Sequence, residues 1–131
     1  MENLVTITLL NIVLLAGLLM LQPLVRTVNV GLLYALSSLD KRVDEGTISR
    51  RLAMVTNNQI EALTLWVPTV LIAQSTALSH PHLSLTGTVF LLARVAYAMI
   101  SLAGLPFLRT ASWLIGFVSW AYLAWIVWAA L

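Results

Sequence analysis

Two ionisable residues stand in stretches that are otherwise strongly apolar: Glu61, well inside the second apolar segment, and Arg94, near the middle of the third. A charge at membrane depth costs roughly 2.5–3.5 kcal/mol on insertion scales, so such residues mark either a function or a buried pair. Opposite charges at comparable depth on consecutive antiparallel helices predict an ion pair between Glu61 and Arg94. At about 100° per residue, Arg51, Asn58 and Glu61 share one helical face, and Arg94, Tyr97 and Ser101 share another. Arg109 and Thr110 open the last apolar segment, with Trp113 one turn further on. Cations, amides, a carboxylate and hydroxyls converging in this way suit a zwitterionic, polyanionic small molecule. The same residues also suit a hydrogen-bonded seam of the kind that packs membrane helices together. His80 and His82 occupy a short turn with no further metal ligands nearby in sequence, so they read as solvated and no metal site is expected. With no cysteine in the chain, disulfides, thiolate metal sites and cysteine nucleophiles are excluded.

The elements that must position these groups follow from composition. Of 131 residues, 60% are hydrophobic and 9% charged, and the mean hydropathy is +0.95. An ordinary soluble domain carries about 25% charged residues, so a soluble globule and a disordered chain are both excluded. A bilayer-spanning helix needs roughly 20 apolar residues, which leaves room for about four. The expected architecture is all-α: an integral membrane four-helix bundle, one domain over residues 1–131, with helices near 4–36, 49–78, 83–103 and 107–131. No Lys or Arg precedes the first apolar run, so that run reads as a retained helix and not a cleaved signal. Pro23 is expected to kink it. Residues 37–46 read as a solvated loop, Thr47 or Ser49 as a candidate cap for the second helix, and Gly104-Leu105-Pro106 as the stop of the third. Lys41, Arg42, Arg50 and Arg51 cluster between the first two helices, with Arg26 and Arg109 on the same side. The positive-inside rule then puts that loop in the cytoplasm and both termini opposite. The tryptophans near the C-terminus read as an interfacial belt. A net charge of +2 without a long basic stripe argues against nucleic-acid binding.

Several of these residues carry a resemblance. Arg51, then Asn58-Gln59-Ile60-Glu61, then Arg94-Val95-Ala96-Tyr97, then Gly104-Leu105-Pro106-Phe107-Leu108-Arg109-Thr110 are similar to the MAPEG family, the membrane-associated proteins of eicosanoid and glutathione metabolism, and most of all to its bacterial members. The resemblance implies a homotrimer in a bacterial inner membrane, with glutathione held between neighbouring subunits. It implies that Arg51, Asn58 and Glu61 hold the peptide's charged ends and amides, that Arg94 pairs with Glu61, and that Arg109 stabilises the glutathione thiolate. Tyr97 and Thr110 then fall at family site positions, and Arg26 at that of a family arginine closing helix one. An adjacent arginine favours the nucleophilic thiolate over the thiol, and the electrophile is a hydrophobic small molecule entering from the lipid. The chain departs from the family pattern at Met54, where a second arginine is frequent, and at Thr64, Ser101 and Trp113.

Two other functions fit the same chain. One is a non-catalytic member of this fold that binds a lipid or amphiphile, or serves as a subunit of a membrane complex. The other is a small four-helix multidrug exporter. Exporters of that kind carry an essential glutamate in helix one, where this chain has only Glu2, ahead of the apolar run.

Overall fold

In a computed structural model, residues 1–33 and 46–131 are described. They form four long helices: α1 (Glu2–Val30), α2 (Thr47–Ser75), α3 (Leu83–Ala103) and α4 (Pro106–Ala130). No strand occurs among the described residues. The all-α reading therefore holds, with adjusted boundaries. The first helix does not run unbroken towards residue 36. It ends at Val30, where Gly31 takes φ 99° and its amide donates back to the Thr27 carbonyl at 3.0 Å. Residues 34–36 and most of the expected solvated loop, including Lys41 and Arg42, lie outside the described residues. Neither Thr47 nor Ser49 caps α2 through its side chain; Gly46 holds the cap position and Thr47 is already helical. Pro23 and Pro68 sit inside α1 and α2, with helix on both sides of each.

Three helices, α1, α3 and α4, are long and apolar enough to cross a membrane. The fourth, α2, has the length but not the apolarity, because Arg50, Arg51, Asn57, Asn58, Gln59 and Glu61 fill its first half. The packing explains how these groups are tolerated. α2 touches each of the other three helices, whereas α1 and α4 do not meet. The α2–α3–α4 side therefore leaves a groove between α2 and α4, floored by α3.

The bundle is locked on the side of the chain termini by apolar packing. Trp66 of α2 is fully buried, stacks on Phe90 of α3 at 3.9 Å between ring centroids, and donates its indole N–H to the Thr8 hydroxyl of α1 at 2.9 Å. Leu4, Val70, Leu83, Leu123 and Ile126 complete this cluster. A Cβ at Gly87 would lie 3.0 Å from a Leu4 methyl, which is why α1 and α3 approach so closely there. α4 is tied to its neighbours by Ser119 Oγ donating to the Thr86 carbonyl at 2.8 Å, and by Trp120 Nε1 donating to Thr69 Oγ1 at 3.0 Å. Outward-facing leucines, isoleucines and valines are exposed on all four helices, as a lipid-facing surface requires. Trp125 and Trp128 are exposed near the end of α4, and the His82 ring shares a 2.7 Å hydrogen bond with Tyr122 Oη.

Candidate functional site

The α3–α4 turn builds one end of the groove. Gly104 is left-handed at φ 81°, its amide donates to the Ile100 and Ser101 carbonyls, and Pro106 follows as the first residue of α4. This tight reversal sets Arg109 one turn into α4, beside the start of α2. Arg51 of α2 donates to the Leu102 carbonyl at 3.1 Å and lies against Gly104. Arg51, Met54, Ser101, Gly104 and Arg109 line a pocket of about 200 Å³. Its electrostatics are one-sided. α2 and α4 both begin here, and neither has an acidic residue in its first turn. Arginines at helix N-termini oppose the macrodipole, so two such ends with two guanidiniums make a site that favours an anion. The buried Ser101 hydroxyl has no hydrogen-bond partner. Arg109 Nη1 reaches Met54 Sδ at 3.3 Å, a weak acceptor that leaves most of its donor capacity unused.

A second, separate cleft of about 130 Å³ lies further along α2 and α4. Asn58, Glu61 and Leu65 supply one wall, Trp113, Phe117 and Trp120 the other, and Arg94 with Phe90 the floor. The rings are ordered, with Trp113 and Phe117 stacked at 5.5 Å and Phe117 and Trp120 at 5.4 Å. Spacing shows why the two cavities follow one another along the same helix faces. Arg51, Met54, Asn58, Glu61 and Leu65 step by three and four along α2, as do Arg109, Trp113, Gly116 and Trp120 along α4. Because α2 and α4 run in the same direction, the cationic ends coincide and the aromatic parts coincide. At 1.5 Å per residue the groove extends about 16 Å from Arg109 to Trp120.

The structure overturns the expected Glu61–Arg94 ion pair. Among the described residues no ion pair joins them. Arg94 instead donates from Nε to Gln59 Oε1 at 2.8 Å and from Nη2 to Asn58 Oδ1 at 2.5 Å, and its guanidinium lies 4.9 Å above the Tyr97 ring. Gln59 is 1% exposed and in turn donates from Nε2 to the Asn11 carbonyl of α1 at 3.2 Å. The physical reason is register. Gln59 points into the α1–α2–α3 core, while Glu61, two residues on, turns to the exposed edge of the groove. The seam that holds Arg94 is therefore built from neutral amides. Sequence reasoning missed Gln59, whose available signal was a third amide beside Asn58; Asn11 contributes only its backbone carbonyl, which its residue type does not announce.

The structure brings Arg51 and Arg109 together in the first pocket, and Asn58, Glu61 and Arg94 in the second, both within one chain, where the resemblance implies a site between neighbouring subunits. Tyr97 is buried beneath Arg94 and lines neither. Thr110 is exposed, with its hydroxyl donating to the Pro106 carbonyl at 3.1 Å, and it too lies outside both pockets. Arg26 is half-buried on α1, which contributes no lining residue to either pocket. Among the described residues no group of three or more histidines and acidic residues is placed to hold a metal.

Three membrane-length apolar helices, a fourth, more polar helix packed against each of them and a buried arginine seam define an all-α integral membrane protein. The family model described as the MAPEG family matches residues 4–129 of the 131, and the chain belongs to that family. No curated protein and no solved structure matches the chain.

Proposed function

We propose that the protein is a glutathione-dependent transferase or peroxidase that acts on hydrophobic electrophiles and works as a homotrimer in a bacterial inner membrane, with the α1–α2 loop cytoplasmic. The carrying observation is the succession of two cavities along α2 and α4, the first lined by Arg51 and Arg109 and the second by Trp113, Phe117 and Trp120. Glutathione has two carboxylates, one ammonium and a thiol. The residues present fit it: two guanidiniums and the unpartnered Ser101 hydroxyl suit the anionic groups, and the Glu61 carboxylate suits the ammonium.

When bound, glutathione supplies the sulfur nucleophile. Arg109 would hold the thiolate form through charge-assisted N–H donation, leaving the weak Met54 acceptor for a stronger one. Arg51, braced by the Leu102 carbonyl, would orient a carboxylate. Asn58, fixed by Arg94, would present its amide to the peptide. Trp113, Phe117 and Trp120 would receive an apolar electrophile arriving from the lipid and keep water from it.

A second reading is a non-catalytic member of the family that binds an amphiphile. It is favoured by Arg94 spending its donors within the chain on Gln59 and Asn58. Calorimetry of glutathione against the detergent-purified protein separates the two. Binding in the micromolar to low millimolar range, lost in Arg109→Ala at unchanged oligomeric state, supports the enzyme. No binding at millimolar glutathione supports the amphiphile reading.

A further inference from the structure

We infer that Met54 is a reversible oxidation site whose sulfoxide withdraws Arg109 from the groove. The inference rests on the thiolate role of Arg109 for its functional consequence, but not for its chemistry. Met54 is half-buried and lines the Arg51–Arg109 pocket, with its Sδ already 3.3 Å from Arg109 Nη1. The other methionines have no such setting. Met20 and Met99 are 66% and 68% exposed on the outward faces of α1 and α3, and Met1 packs on the apolar core.

A thioether is a poor acceptor, so the present Arg109–Met54 contact is easily exchanged for a ligand anion. Oxidation changes that balance. A hydroperoxide delivers its terminal oxygen to Sδ: the S–O bond forms, the O–O bond breaks, and the departing oxygen takes up the proton that the terminal oxygen carried, leaving as an alcohol or water. Sulfur is oxidised by two electrons and the peroxide is reduced. The product is a polar sulfoxide with a strong acceptor oxygen, reversible by methionine sulfoxide reductases. On the flexible methionine side chain that oxygen falls within reach of the guanidinium that Sδ touches, and a charge-assisted N–H···O bond replaces a weak N–H···S contact. Arg109 is then tied to α2 and its donors are no longer free for an incoming anion. The polar pocket gives aqueous peroxide a route to Met54, and the oxidant belongs to the class of molecule a membrane peroxidase meets.

The test uses the full chain in liposomes treated with hydrogen peroxide. Peptide mass spectrometry measures sulfoxide at each methionine, and phenylglyoxal labelling measures the availability of Arg109. Met54 is expected to gain oxygen, with Arg109 labelling slowed at least fivefold. Reductase treatment should restore the original rate. In Met54→Leu, peroxide should leave the labelling rate unchanged. The inference is overturned if Met54 stays a thioether while Met20 and Met99 oxidise, or if Arg109 labelling is equally fast before and after oxidation. It is also overturned if Met54→Leu slows as the parent does. None of these readouts requires glutathione to bind. Failure of glutathione binding in the reduced protein therefore removes the enzymatic reading alone.

Discussion

Replacing Gln59 with leucine isolates the seam that holds Arg94. Leucine keeps most of the volume at a position only 1% exposed, so packing changes little and the polar contacts are lost. Two bonds disappear: Arg94 Nε to Gln59 Oε1 at 2.8 Å, and Gln59 Nε2 to the Asn11 carbonyl at 3.2 Å. A hydrogen bond to a charged group contributes about 1.5–3 kcal/mol. An interhelical bond between neutral groups in a membrane protein averages about 0.6 kcal/mol. Because Arg94 keeps Asn58 as a partner, the lower part of the first range applies, and the expected loss is about 2–3 kcal/mol. Glu61→Gln is the contrasting variant. Glu61 makes no ion pair with Arg94 and lies at the exposed edge of the groove, so its neutralisation should shift stability by no more than about 0.5 kcal/mol. The assay is reversible unfolding in mixed micelles titrated with sodium dodecyl sulfate, followed by circular dichroism without ligand. If Glu61→Gln unfolds as early as Gln59→Leu, the charge pair holds the bundle and the amide-seam account is wrong.

Gly104→Ala should lower stability by about 1–3 kcal/mol, since the position is left-handed at φ 81° and a Cβ would fall 2.6 Å from Arg51 Nη2. The same variant should weaken anion binding by displacing that guanidinium, which isothermal titration with glutathione measures. Trp113→Ala should raise KM for a hydrophobic electrophile severalfold while leaving glutathione affinity within twofold, because Trp113 lines only the aromatic cleft. An equal loss of both would mean that the two ends of the groove do not divide the substrates.

Helix count, the membrane class and the family were legible in the sequence, because they depend on one-dimensional quantities. Apolar run length, scarcity of charge and the Gly104-Leu105-Pro106 stop needed no neighbours to interpret. The identity of the polar stripes was also legible, since spacings of three and four place Arg51, Asn58 and Glu61 on one side of a helix. Partner choice was not. Gln59 and Glu61 are two residues apart and about 160° apart around α2 at 100° per residue taken the short way, so the rotation of α2 about its axis decides that Gln59 and not Glu61 meets Arg94. That rotation is set by Trp66 wedged against Phe90 and Thr8, and by Asn11 supplying a carbonyl from α1. The parallel run of α2 and α4 brings Arg51 and Arg109 to one pocket from positions 58 residues apart. The sequence by itself determined that this chain must bury a few polar groups among membrane helices. Only the tertiary structure decided which of them are spent on holding the helices together and which are left facing the groove, because hydrogen bonds between helices depend on register and not on composition.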